Sequence, residues 1–317
     1  MNEVSIEVAE DATDATASFI AECMSVGRES AAAGLRMDKK APAAYRDGFL
    51  AYRGPRTSLT YFEGKLLSLR LSAVRRGMQV DQMVTAQLLE RITDGRCPVT
   101  LERFRWGGGQ SPRNPSVDRL VNEVSYRAGN ICMLSQRANR AKAELSFEQV
   151  AQLAQAGEPH GELSAVEWMR LASLMYGAWA RAFQQADPYL LPLAAIPGPG
   201  MFMSTSQVVQ LLLTRHFGPG ESSSGATRRW LEMTRQAESA EDMFLVLRDL
   251  LAAALARERY AGDAWLHGAV FEAFVNWYRL CKHVVATEVE TLLGEHQERV
   301  SDPIANTAWP HTSRYPH

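Results

Sequence analysis

Cysteine is scarce. The four residues Cys23, Cys97, Cys132 and Cys281 are scattered through 317 positions, and no two form a Cys-x-x-Cys pair. A disulfide framework belongs to small secreted domains and a local four-thiolate zinc site needs paired cysteines, so the spacing excludes both. Histidine is missing from the first 159 residues; the seven are His160, His216, His267, His283, His296, His311 and His317. Long apolar runs are missing too, since the best candidate, residues 245–255, is broken by Arg248 and Asp249, and a membrane span needs about eighteen uninterrupted apolar residues. The first turns carry Glu3, Glu7, Glu10, Asp11 and Asp14 with no basic residue before Arg28, which is not the basic start of a secretory signal. The expectation is a cytoplasmic protein with no membrane partner. Neither sign of charge dominates: 34 Lys and Arg oppose 36 Asp and Glu, for a net charge of −2. That balance excludes a uniformly basic nucleic-acid coat and an extended acidic chain.

What is present suits a globular protein with a sizeable core, at 46% hydrophobic and 22% charged residues. Apolar residues recur at helical spacing over 13–37, 58–76, 80–92, 146–155, 163–185, 204–216, 240–260 and 263–293. Prolines at 188, 192, 197 and 199 forbid helix over 187–200, and the Gly-Pro-Ser-rich stretch 218–225 reads as a mobile loop. The stripe Trp265, Phe271, Phe274, Trp277, Tyr278 has core spacing. Cys281 and His283, two apart, diverge on their helix and make a poor metal pair. Between these helices the pattern changes. Residues 95–115 are rich in Gly, Pro, Arg and Asn; short β-type runs follow at 117–121 and 131–134, then a polar helix at 135–143.

That window carries Cys97, Pro98 and Thr100; Ser116, Asp118 and Arg119; Tyr126, Gly129 and Asn130; and Ala138, Asn139 and Lys142. In order and spacing it resembles the HNH, or His-Me finger, nucleases, in the branch reading Cys-Pro-x-Thr, Ser-x-Asp-Arg, Tyr-x-x-Gly-Asn, Ala-Asn-x-x-Lys. The resemblance covers about 48 of 317 residues. It implies a ββα finger holding one divalent cation beside a scissile phosphate, with Asp118 and Asn139 as ligands. Hard oxygen donors of this kind suit Mg²⁺ or Mn²⁺, and no structural zinc is expected with Thr100 where a second cysteine would stand. The catalytic candidates it implies are Asp118, Arg119, Asn130 and Asn139; those for nucleic acid are Arg113, Arg127, Arg137, Arg140 and Lys142. The Asp-Arg form of the motif is similar to versions in phage, mobile-element or defence proteins.

One position departs from the family. An active finger has a water-activating His after the Asp; here Arg119 stands there and the whole window lacks His. Arginine stays protonated at neutral pH and is no ordinary general base, although it can clamp phosphate or stabilise developing charge. A base would have to come from outside the finger, for instance a C-terminal His. Each residue also has a plainer reading: Asp118 as a turn-side ion-pair partner, Asn139 as a solvated helix residue, Asn130 after Gly129 as a turn pair, Cys97 and Cys132 as packed core.

Local charge favours nucleic acid. Residues 96–142 hold nine basic and three acidic side chains, and 53–76 hold six against one, a footprint for a phosphate backbone within an acidic whole. The resulting expectation is a mainly α chain with a small central ββα insert, α+β overall. Its parts are an N-terminal helical region (1–94), an HNH-like finger (95–145), a C-terminal helical domain (146–300) and an irregular tail (301–317). The expected activity is metal-dependent cleavage of nucleic acid, DNA before RNA, with a possible protein partner on the C-terminal helices. The rival is a degenerate finger serving as a DNA-binding or structural module.

Overall fold

The computed structural model describes residues 3–300 apart from 108, 186–188, 221, 222 and 236; the tail expected at 301–317 lies outside the described residues. Over half of the chain, 57%, is helical, and the β structure is one two-stranded antiparallel sheet. Contacts divide the chain into two compact units, one of Met1–Asp94 with Val117–Met133, the other of Gly95–Ser116 with Leu134–His317. The division passes through both strands of the hairpin, β1 (Pro115–Arg119) and β2 (Ile131–Ser135).

The first unit is built on α1 (Glu3–Ala32), α2 (Ala43–Ala51), α3 (Tyr61–Arg75) and α4 (Ala86–Arg91). α1 and α2 meet through glycines. A Cβ on Gly27 would lie 2.1 Å from the Tyr45 carbonyl oxygen, and one on Gly48 would lie 2.2 Å from that of Met24. Cys23, Val26, Tyr45, Leu67 and Val74 form the core beside this contact. Arg70 on α3 ties to α1 at Glu22 (2.8 Å) and Glu29 (2.6 Å); burial opposes its charge, and the two carboxylates outweigh burial and hold it protonated. α3 starts where a capping box dictates, with the Thr60 hydroxyl and Glu63 carboxylate satisfying each other's end of the turn. The helix expected over 80–92 is shorter. Val80 pairs with Tyr126, the Asp81 carboxylate turns the chain by accepting from the Met83 amide, and helix begins only after Thr85, whose hydroxyl accepts from Leu88.

The second unit holds α5 (Gln136–Lys142), α6 (Phe147–Ala156), α7 (Ala165–Ala182), α8 (Thr205–Phe217), α9 (Ser223–Thr234), α10 (Ala240–Arg257), a 3-10 turn (Ala261–Leu266) and α11 (Gly268–Val300). Capping boxes at Ser146/Gln149, Ser164/Glu167 and Ser204/Gln207 set three of these starts. α9 covers part of the stretch expected as a loop at 218–225. Trp230, Phe244, Trp265, Phe274, Trp277 and Tyr278 fill one core, with Phe271 of the expected stripe partly buried against it; Cys281 is buried while His283 is exposed. The proline-rich segment has no ladder of its own, so buried glutamines serve it: Gln210 accepts from the Leu193 amide at 2.8 Å and donates to the Leu191 carbonyl at 2.9 Å. No helix among the described residues is long and apolar enough to cross a membrane.

Because backbone occupies the place of a Cβ at Gly48, Gly48→Ala has to push α1 and α2 apart. The expected cost is about 1–3 kcal/mol, read as a lower Tm with unchanged helical circular dichroism.

Candidate functional site

β2 reads Ile-Cys-Met-Leu-Ser and is buried at every position, so this strand is core. It ends at Ser135, whose hydroxyl caps α5 by accepting from the Ala138 amide at 3.2 Å. Two more amides of that first turn, from Gln136 and Arg137, donate to the carbonyls of Asn114 and Pro112, each at 2.9 Å. The strand-turn-helix succession therefore follows from local hydrogen bonding: a cap on one side and the approaching chain on the other satisfy the amides that a helix start leaves open.

Asn130 closes the loop between the strands. Only 2% exposed, it accepts from the Val121 amide at 2.9 Å and donates to the carbonyls of Val121 (3.0 Å), Val124 (3.2 Å) and Ser125 (3.1 Å). Gly129 before it has φ +87°, a left-handed conformation that a side chain would strain. Every polar atom of the Asn130 amide is thus used on the loop backbone, and its place in the site is that of a brace.

Ser116 and Asp118 alternate onto one face of β1. Asn139 on α5 donates Nδ2–H to Ser116 Oγ at 2.7 Å. This fixes the amide so that its Oδ1, a hard neutral acceptor, has no protein partner among the described residues. The Asp118 side chain is 7% exposed. Carboxylate and amide oxygens are each of the donor type that suits a small divalent cation. Among the described residues, no three His, Cys, Asp or Glu side chains converge as a metal cluster.

Arg119 faces inward. It is 7% exposed, donates to the Asn122 carbonyl at 2.5 Å and lies 5.1 Å from the centroid of the Tyr126 ring. Arg76 takes the same ring at 5.5 Å and donates to its hydroxyl at 2.5 Å. Tyr126 thus organises two cations.

The basic candidates separate. Arg137 is committed to the protein, with Glu167 at 2.5 Å, Glu102 at 3.5 Å and the Glu162 carbonyl at 2.7 Å; Lys142 is fully buried. Arg113, Arg127 and Arg140 are exposed, and Arg140 hydrogen-bonds Gln136 at 2.8 Å. Burial alone would raise the Glu167 carboxyl; Arg137 and the Ser164 cap outweigh it and hold it below the usual range. No local motif announces Glu167 as a partner for Arg137, because thirty residues separate them.

Cys97 sits fully buried in a hairpin knuckle. Its amide donates to the Glu102 carbonyl at 3.0 Å, its carbonyl accepts from Leu101 at 2.8 Å, and Leu101 takes φ +56°. Thr100 accepts from the Glu102 amide at 3.4 Å, so hydrogen bonds close the turn. Of the histidines outside the finger, His216 accepts from Trp230 at 2.9 Å and His267 pairs with Glu258 at 2.7 Å.

Asn130→Ala leaves an amide and three carbonyls of the loop unserved, and burial makes each such loss cost about 1–3 kcal/mol. The expected outcome is a lower Tm together with new protease cleavage within 120–129. Glu167 is expected to contribute only when ionised. A depressed folded pKa gives stability that is fully present above the unfolded value and lost as pH falls through the folded one. Glu167→Gln should therefore cost about 1.5–3 kcal/mol at neutral pH and almost nothing in acid below that folded value, measured by urea unfolding across pH.

No protein-family model, curated protein or solved structure matches the chain.

Proposed function

We propose that the chain is a metal-dependent, HNH-like endonuclease acting on nucleic acid, DNA before RNA. The observation that supports the reading is the Ser116–Asn139 contact, which holds the Asn139 amide while its Oδ1 takes no protein partner among the described residues. Mg²⁺ or Mn²⁺ held by Asp118 and Asn139 would supply charge stabilisation at the scissile phosphate. The protein's own contributions are positional: Asn130 fixes the loop, Ser116 orients the amide, and exposed Arg113 and Arg140 offer guanidinium groups to flanking phosphates. Arg127 would do the same from the loop between the strands.

A second reading is favoured by one specific observation. Arg119, standing for the water-activating His, is bound to Asn122 and Tyr126. A finger whose base position has become a structural cation could serve as a DNA-binding or assembly module without cutting.

Cleavage of supercoiled plasmid, single-stranded DNA and RNA with Mg²⁺ or Mn²⁺ separates the two. The endonuclease reading expects cutting by the wild type and a loss on the order of a hundredfold in both Asp118→Ala and Asn139→Ala, with their melting preserved. A folded wild type that cuts none of the three leaves the module.

A further inference from the structure

Trp106 is 46% exposed and lies in a loop whose neighbours are arginines. The loop leaves the knuckle at Phe104 and returns to the finger at Pro115. At its base the Arg105 amide donates to the Arg113 carbonyl at 3.0 Å, which sets these two arginines opposite one another. Asn114 Nδ2 donates to the Gly109 carbonyl at 2.8 Å, and Gly107 and Gly109 take φ +93° and +94°. Phe104 stands edge-on to the indole, with centroids 6.0 Å apart and planes at 75°, so Trp106 is braced yet open to solvent.

The side chains of Arg105 and Arg113 are exposed and make no ion pair or hydrogen bond among the described residues. They contrast with Arg137, which is surrounded by protein acceptors. The carbonyls on either side of Arg113 accept the first amides of α5, so Arg113 stands at the start of the finger helix, two residues before Pro115 opens β1. A single exposed tryptophan is ordinary. An exposed indole directly after one unpaired arginine, with a second held opposite, has the composition of a surface for stacked bases and their phosphates.

We infer that Arg105, Trp106 and Arg113 bind nucleic acid whose bases are unpaired, with Trp106 stacking on a base and Arg105 and Arg113 taking the adjoining phosphates. Duplex DNA keeps its base faces covered and offers this loop only phosphates, so the indole selects for single-stranded, frayed or looped substrate. The inference rests on the nucleic-acid reading of the finger and specifies the form of its substrate; it does not require cleavage.

The test is fluorescence anisotropy with the full chain in EDTA, using a short labelled DNA strand, its duplex and an RNA strand of the same sequence. Tighter binding of either single strand than of the duplex is expected. Trp106→Ala should weaken single-strand binding by about 5- to 100-fold while changing duplex binding less than about twofold. Trp106→Phe should keep most of the affinity. Arg105→Ala with Arg113→Ala should weaken every form and flatten the dependence of log K on log salt by roughly 0.7 per arginine on the single strand. Unchanged single-strand binding in Trp106→Ala, a preference for the duplex, or no binding of any form by the folded wild type overturns the inference. Single-strand binding without cutting in the plasmid assay would retract the endonuclease reading and leave this one standing.

Discussion

One buried primary amide determines how the finger loop is built. The residues between β1 and β2 form no ladder of their own, yet Val121 is buried and its backbone needs partners. Asn130 supplies them with a single side chain that both donates and accepts. With the loop closed, Tyr126 is directed inward, its carbonyl accepts from the Asp81 amide at 2.8 Å and its residue bridges Val80. Tyr126 and Ile131, on either side of Asn130 in sequence, then enter the same core as Leu69, Ala73, Val84, Leu88 and Leu89. The amide therefore couples loop, strand and helical packing within the first unit, and a polar residue placed centrally in a motif proves to be the support on which the apolar ones close.

Charge in the finger sorts by the acceptors within reach. Nine basic residues over 96–142 suggested one continuous phosphate-binding field. Instead Arg96 donates to the Leu101 carbonyl, Arg119 to Asn122, and Arg137 to Glu167 and Glu162, while Lys142 is enclosed. Guanidinium groups are versatile donors to carbonyls and carboxylates, so a local surplus counts as surface only after these internal uses are removed. Of the nine, Arg103, Arg105, Arg113, Arg127 and Arg140 are exposed.

The parts of this fold legible in sequence are those with local causes. The aromatic stripe through Trp277 had helical spacing, and the short runs at 117–121, 131–134 and 135–143 form two strands and a helix close to their expected places. The parts that were not legible depend on partners distant in sequence. Helix over 80–85 lost to the Val80–Tyr126 bridge and the Asp81 turn. The short helix α2 carries no strong apolar period and exists through its close approach to α1 at Gly27 and Gly48. For the candidate site, the identities of Asp118, Asn130 and Asn139 were visible, and the bracing function of Asn130 was not, because its four bonds run to backbone atoms that composition does not mark. Ser116 takes its role from Asn139, twenty-three residues away, so its neighbours in sequence do not mark it.

Arg119 shows how a motif position can keep its geometry while changing its chemistry. A histidine at the end of β1 can lose and regain a proton near neutral pH; arginine cannot. Arginine brings a longer stem and more donors, and here these span from the Asn122 carbonyl to the Tyr126 face, with Met78 sulfur 3.4 Å from the same nitrogen. Those contacts strengthen the loop that Asn130 closes. A His substituted for Arg119 would recover a titratable ring but is too short to make both of these contacts, so the finger would exchange loop support for proton chemistry. The contacts Arg119 makes thus stabilise the end of the strand that carries Asp118.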